Sequence, residues 1–141
     1  MSRVAICVPC WNQVQYTRWF VESVQRNSRD HDVYFVLLDN GSEDETREFL
    51  RTVPHATRIF LPKNVGVNPA WNRLLREALE PVLWNDGHAD VPDVICLANN
   101  DIIVGPEWLD SVCTELVKPD NASYFVANGS FECDQQVFDS T

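Results

Sequence analysis

The sequence predicts an α/β fold: a mostly parallel sheet flanked by helices. Three observations carry this. Short runs rich in β-branched and aromatic residues alternate with stretches whose apolar residues recur at helical spacing. Each run stops at Pro, Asn, Asp or Gly. The chain has 141 residues, 45% of them apolar and 23% charged, enough for one sizeable core and too little for two comfortable domains. Strands alternating with helices form βαβ units, whose crossovers make neighbouring strands parallel. Residues 1–141 are therefore read as a single domain, with 128–141 as a tail of no clear periodicity.

Residues 4–8 (VAICV) form a short apolar run ended by Pro9, the mark of a buried strand. Over 14–27, Val14, Trp19, Phe20, Val21 and Val24 cluster near helical spacing, with Asn12 as a possible cap. Residues 33–38 are a second strand, stopped by Asp39-Asn40-Gly41-Ser42. Ser42 is placed to cap the acidic turn Glu43-Asp44-Glu45, whose charge suits a helix N-terminus, and that helix should run to about Thr52. A third strand spans 58–61 and Pro62 closes it; a helix follows over 69–79, with Ala70, Leu74, Leu75 and Ala78 on one face. Residues 85–93 (NDGHADVPD) read as loop. Residues 94–98 are a fourth strand, Pro106 begins another helix, and 124–127 are a fifth strand.

The chain carries 11 basic and 21 acidic residues, a formal charge of −10. The excess is local: residues 81–141 hold eleven acids and one base, Lys118. Backbone contact with nucleic acid needs cationic surface, so nucleic acid is excluded as a partner there. Such a face either aids solubility or meets an anionic ligand through a bridging metal ion. No apolar run reaches the roughly 18 residues needed to span a bilayer. The N-terminus reads as a first strand and not a signal peptide, which predicts a cytoplasmic protein. Five cysteines, at 7, 10, 96, 113 and 133, point to free thiols. Cys7 and Cys10 form a C-x-x-C, but a redox pair needs a helix N-terminus and Cys7 lies inside a strand. No second C-x-x-C or H-x-x-x-H completes a zinc site. His31, His55 and His88 stand alone and read as surface histidines.

Parallel sheets bind ligands beyond the carboxyl ends of their strands. Those ends here are Pro9-Cys10-Trp11-Asn12, Asp39-Asn40-Gly41-Ser42, Asn64-Val65-Gly66 and Asn99-Asn100-Asp101, polar in every case. In this order, VAICVPCWN, FVLLDNGSEDET, LPKNVGVNPAWN and ICLANNDIIVGPEWL resemble the nucleotide-sugar-binding half of family 2 glycosyltransferases of the GT-A fold, a Rossmann-like architecture. The family's first motif resembles V-I-P-T-Y-N, with Cys10 and Trp11 at the Thr and Tyr positions. The second, V-D-N-G-S-x-D-x-T, is matched almost letter for letter at 38–46. The third, N-x-G-x-x-x-x-x-N, is matched by Asn64, Gly66 and Asn72. The fourth, a D-x-D-type metal motif, is Asn99-Asn100-Asp101, followed by P-x-W-L at 106–109.

The resemblance implies a transferase that moves a sugar from a UDP-, GDP- or TDP-linked donor to the hydroxyl of a glycan or other acceptor, with inversion and with Mn2+ or Mg2+. Asp39 would accept a hydrogen bond from a base N–H, or simply belong to a turn. Trp11 would border the base or ribose, or pack. Pro9, Cys10 and Asn12 complete that strand end. Gly66 suits close backbone approach, with Asn64 and Asn72 holding its loop, and Arg73 and Lys63 are candidate diphosphate contacts. Asp101 is the metal candidate, since Mg2+ and Mn2+ take one or two carboxylates plus substrate phosphates. Asn99 stands where a strict D-x-D has Asp, and Asn99 and Asn100 can offer amide oxygens or hydrogen bonds.

A complete family domain continues well past the point matching Val117, with acceptor-binding segments and a general base. Glu132, Asp134 and Asp139 are the carboxylates available here. The chain is thus expected to be truncated relative to a full GT-A domain, leaving an exposed sheet edge that favours a homodimer. A nucleotide-sugar-binding module without turnover is the alternative, and a C-x-x-C redox protein a lesser one. A nucleotidyltransferase is disfavoured, because its glycine- and lysine-rich phosphate loop is missing after the first strand.

Overall fold

The computed structural model describes residues 2–116. In chain order the elements are β1 (Arg3–Cys10), α1 (Val14–Asn27), β2 (Asp32–Asn40), α2 (Thr46–Thr52), β3 (Ala56–Leu61), α3 (Val67–Ala78), β4 (Val82–Leu83), β5 (Ala89–Asp90), β6 (Val94–Leu97) and α4 (Trp108–Leu116). The apolar runs of the sequence form one parallel sheet in the order β3-β2-β1-β6. Ile6 lies opposite Phe35 on one side and Cys96 on the other. Fold class and parallel pairing are as predicted. The strand expected at 124–127, the tail at 128–141 and the carboxylates Glu132, Asp134 and Asp139 lie outside the described residues.

Alternation along the strands sorts the core into two layers. Val4, Ile6, Val8, Phe35 and Leu37 pack beneath α1, α2 and α4, with Phe20, Val24, Leu50 and Leu109. Ala5, Cys7, Val36, Leu38 and Ile59 pack beneath α3, with Ala70, Leu74 and Ala78. The near-continuous hydrophobic run of β1 follows from this, because a central parallel strand is covered on both faces. The chain turns outward from β1 through β2 to β3, then returns to place β6 on β1's other side. The crevice between the carboxyl ends of β1 and β6 is therefore the switch point of the sheet.

The structure departs from the sequence reading in several places. β1 does not stop at Pro9 but runs through it to Cys10; β6 pairs only with Val4 to Cys7, so Pro9 has β2 as its one described ladder partner and its missing N–H is tolerated. The expected loop at 85–93 contains a small hairpin, β4–β5, turning at Gly87 (φ +84°). It is pinned to the amino end of the sheet: Asn85 donates twice to the Asp32 carboxylate, Arg3 pairs with Asp86 and Asp90, and Trp84 is buried against Tyr34. α3 begins two residues before Pro69, which fits a helix's first turn. α4 begins at Trp108 because Glu107, at φ +62°, separates it from Pro106. His31 is no lone surface residue: it pairs with Asp110 and accepts the Ser2 N–H.

Cys7 and Cys10 are three residues apart on one strand, so they face opposite layers; both are buried free thiols. Burial pushes each thiol up to about 12. That speaks against the lesser redox alternative, which needs two adjacent and ionisable thiols, and agrees with placing Cys7 in a buried strand. No helix among the described residues is long and apolar enough to cross a membrane. In the native protein, Cys7 and Cys10 are expected to resist thiol-modifying reagents at pH 8 and to react only on unfolding. Mass spectrometry of labelled peptides checks this, and rapid native labelling of either would contradict the burial described.

Candidate functional site

β2 emerges from the core with two polar residues in succession, and alternation sends them to opposite faces. Asp39 continues the row of Phe35 and Leu37, toward α2, and Asn40 continues the row of Val36 and Leu38, toward α3. Asp39 is fully buried. Its carboxylate accepts the Nε of Arg47 at 2.6 Å and the Ser42 N–H at 3.2 Å. Arg47, from the first turn of α2, also donates Nη2 to the Leu61 carbonyl at the end of β3. A buried carboxylate is thus paired and hydrogen-bonded, as its desolvation requires.

Asn40 organises the opposite side. Its Oδ1 accepts the Val65 N–H at 2.9 Å, and its Nδ2 reaches Asn64 Oδ1 and the Gly66 carbonyl. Asn64 Oδ1 in turn accepts the Gly66 N–H at 2.8 Å. Between these contacts Gly41 (φ +76°) lets the two loops touch: a Cβ there would lie 2.5–2.6 Å from the backbone of Lys63 and Asn64. Gly66 (φ +91°) has open space around it and is required for its conformation, immediately before α3.

The β1–α1 loop is latched to the β2–α2 loop. Asn12 donates its N–H to Ser42 Oγ at 2.8 Å and accepts the Glu43 N–H at Oδ1, also at 2.8 Å. Asn12 and Gln13 both adopt positive φ. The helix α1 has no cap of its own at Gln13; Asp44 accepts the Val14 N–H from thirty residues away. The other Asp44 oxygen takes the Thr46 N–H and hydroxyl. So Asn12 and Ser42 do not cap the helices that follow them, as the sequence reading had it: they bind each other's loops, and Asp44 caps α1. Partial burial pushes the Asp44 carboxyl up, but the Thr46 hydroxyl and the N–H groups of Val14 and Thr46 outweigh it and hold it below the usual carboxylate value. Trp11, next to the latch, is 55% exposed and is not a core residue.

Beyond β6 the chain runs along α1 and the residues that follow it, laced to them by side-chain hydrogen bonds. Asn100 donates to Thr17 Oγ1 at 3.0 Å, the Val104 N–H to Ser23 Oγ, Asn27 to the Val104 carbonyl, Trp108 to Ser28 Oγ, and His31 pairs with Asp110. Asn99 and Asp101, on either side of Asn100, are exposed. Among the described residues there is no group of three or more His, Cys, Asp or Glu that could hold a metal ion. Asp101 is a single exposed carboxylate beside an amide, a donor set that fits Mg2+ or Mn2+ when the remaining ligands come from phosphate and water.

Several candidates stand apart from this edge. Cys10 is buried and turned into the core, so its side chain offers no contact to a ligand. The Asn100 side chain is committed to Thr17. Asn72 is exposed on α3 and makes no hydrogen bond among the described residues, so the loop is held by Asn64 and Asn40 instead. Arg73 pairs with Glu77 one turn on. Arg47, Asn40, Ser42 and Asp44 were missed as a group. Arg47's signal in the sequence is a lone cation in an acidic helix start, where a cation opposes the dipole unless it has a partner.

A family model described as Glycosyl transferase family 2 matches residues 5–137. No curated protein matches the chain. Among solved structures, the mannosyltransferase PcManGT from Pyrobaculum calidifontis, in complex with GDP-Man and Mn2+, is 20% identical with a TM-score of 0.65, over 84% of this chain and 33% of that one. S. aureus TarS 1–349 in complex with UDP-GlcNAc is 17% identical with a TM-score of 0.62, over 81% of this chain and 31% of that one. The chain thus spans about a third of the length of these structures, and the likeness is one of GT-A fold.

Gly41→Ala combines a left-handed φ with a backbone collision and should lose about 2–4 kcal/mol of stability. Gly105→Ala, at an open position without positive φ, should be nearly neutral by comparison in urea unfolding. Asp44→Asn keeps a capping side chain but loses the charge, and should lose about 0.3–1 kcal/mol at neutral pH. The folded Asp44 pKa is depressed, so its contribution is complete above the ordinary carboxylate pKa and fades as pH falls through the folded value. The stability gap between parent and variant should begin to narrow only as pH falls below about 4; a gap that does not narrow at all between about pH 4 and pH 2 would show that the carboxylate's charge is not involved.

Proposed function

Because the chain belongs to glycosyl transferase family 2, we propose that it binds a nucleoside-diphosphate sugar along the carboxyl edge of its sheet and transfers the sugar, with inversion, to an acceptor hydroxyl. The observation that carries this reading is that the ends of β1, β2, β3 and β6 lie along one edge, flanking the switch point. The GDP-Man and Mn2+ of the Pyrobaculum mannosyltransferase and the UDP-GlcNAc of TarS support a donor of this chemical class.

In this reading Asp39 accepts the ring N–H of the base, and Trp11 offers an exposed aromatic face to base or ribose. Gly66 presents a backbone without a Cβ to the diphosphate, and Lys63 and Arg73 supply positive charge nearby. Pro9 and Asn12 shape the β1 end of the crevice. Asp101, with Asn99 beside it, would hold Mn2+ or Mg2+, which when bound neutralises charge on the departing diphosphate. The acceptor is a glycan or another hydroxyl compound. The proposed compartment is the cytoplasm, where thiols such as Cys7 and Cys10 stay reduced. A second reading is a module that holds the donor at the same edge without turnover.

Thermal shift with UDP, GDP and TDP, with and without Mn2+, tests the reading. A ligand at 100 times its Kd stabilises by about 2.7 kcal/mol, a shift of several degrees. Asp101→Ala should remove the Mn2+-dependent part of the shift and leave the unliganded Tm unchanged; an identical Mn2+ response in parent and variant would sink the metal assignment. Product formation and donor hydrolysis, measured alongside, separate the transferase from the binding module.

A further inference from the structure

β1 and β6 separate at the switch point. The Ala98 N–H donates to the Cys7 carbonyl at 3.0 Å, and no backbone bond joins the two chain segments beyond it among the described residues. β1 continues beside β2 to Cys10, while Asn99, Asn100 and Asp101 lead away along α1. One side chain spans the divide. Thr17, on α1, is fully buried on a helix face it shares with Phe20, Val21 and Val24. Its Oγ1 accepts the Asn100 Nδ2–H at 3.0 Å. Burial pushes the Cys10 thiol up, and a hydrogen bond from the Thr17 hydroxyl opposes part of that rise. A hydroxyl has one proton to give and lone pairs to receive. Here the proton goes to the end of β1 and a lone pair serves the end of β6.

We infer that Thr17 is a positioning residue for Asp101: by tying Asn100 to the end of β1, it fixes where the metal-binding carboxylate stands at the switch point. The inference rests on the reading of Asp101 proposed above and adds a residue that cannot itself touch a ligand, because Thr17 is wholly enclosed. Asp101 is exposed and makes no bond of its own among the described residues, so its place depends on the backbone that carries it. That backbone is staked on both sides. Asn100, immediately before it, is held by Thr17. Val104, beyond it, donates its N–H to Ser23 Oγ at 3.1 Å, and its carbonyl accepts Asn27 Nδ2 at 2.9 Å. The Thr17 stake is the adjacent one. A cation that takes a single protein carboxylate, with phosphate and water as its other ligands, gains most when that carboxylate is already in place. Groups that orient a metal ligand without touching the metal commonly change its affinity by about 10–100-fold. Packing alone does not call for a hydroxyl at position 17. A polar group in an apolar helix stripe costs stability unless it is bonded, and valine would fill nearly the same volume. Serine keeps both bonds, and valine keeps neither.

Titration calorimetry of the full chain with UDP and with GDP, each in Mn2+ and in EDTA, reads the gain that the metal adds to nucleotide affinity. Circular dichroism and Tm control for folding. The parent should gain at least about tenfold from Mn2+ with one of the two nucleotides. In Thr17→Val that gain should fall by about tenfold, while affinity in EDTA stays within about threefold of the parent. Thr17→Ser should keep the parent's gain. Ser28→Ala, which cuts the Trp108 bond farther along the same segment, should keep it too. Asn100→Ala should repeat the Thr17→Val loss, and the double variant should lose no more than either alone, because the two residues act as one. A merely structural Thr17 would lower Tm and weaken binding equally with and without metal. That result, or losses that add in the double variant, overturns the inference. Should Thr17→Val fail to fold, Thr17→Ser and Asn100→Ala decide: a gain kept in the first and lost in the second upholds the inference, and any other pair of results overturns it. A parent that binds nucleotide with no gain from Mn2+ removes the metal assignment and this inference together, whereas a parent that binds none removes the proposed function.

Discussion

β1 and β2 are buried on both faces, and most of the molecule follows from that. A strand without a solvated face must be covered by helices above and below, and a parallel neighbour can be reached only through a crossover. α1, α2 and α4 supply one cover and α3 the other. Within such a strand no polar side chain is tolerated until the chain leaves the core. In β2 that point is Asp39-Asn40, and the two residues diverge to opposite layers because alternation continues to the last residue of the strand. Each then needs a separate partner. Arg47 serves Asp39 from the α2 side, and Asn64 and Gly66 serve Asn40 from the α3 side. The polar edge of the sheet is therefore a consequence of its apolar interior.

The same bonds hold the fold and shape the candidate site. α1 lacks a local cap, and the Asp44 carboxylate that replaces it also orders the start of α2. Asn12 and Ser42 satisfy backbone groups of each other's loops. Two consecutive residues, Asn12 and Gln13, sit at positive φ, a conformation unfavourable for side-chain-bearing residues that persists only when the surroundings over-determine it. Here the latch does so, and Trp11 is held at the crevice as a result. Loosening one loop would release the other, so the two behave as one unit.

The elements were legible where the signal is periodic and local. The four sheet strands, the first three helices and their order could be read from apolar spacing, and the carboxyl-edge location of the site from topology. What escaped reading is nonlocal or short. The β4–β5 hairpin has two residues per strand, too few for a period of two to register, and its anchors Arg3 and Asp32 lie more than fifty residues away in sequence. Ser42 and Asn12 were assigned to the nearest helix because capping is a local rule, whereas their partners are thirty and thirty-one residues distant. Asp39 was found through its strand-end motif, but its cation was not, since nothing in a linear reading shows which of ten bases in residues 1–80 will reach a buried carboxylate. Cys10 and Asn100 illustrate the converse: motif positions drew attention to them, and packing turned their side chains away from the edge.

The acidic character of the C-terminal part separates into two kinds once partners are known. Asp86 and Asp90 neutralise Arg3 and fasten the hairpin; Asp93 accepts the Arg3 N–H; Asp110 meets His31 and closes the lacing along α1. These carboxylates are structural. Asp101 differs, having neither hydrogen bond nor ion pair among the described residues while being carried on a segment that three side-chain contacts fix to α1 and two more to Ser28 and His31 just after it. An exposed flexible aspartate needs no explanation, but a carboxylate whose backbone is so firmly positioned keeps its charge at a defined place on the edge. Its neighbours along the chain, Asn99 and Asn100, bring no positive charge. In the function proposed above, a divalent cation arriving with a diphosphate is what this carboxylate would meet.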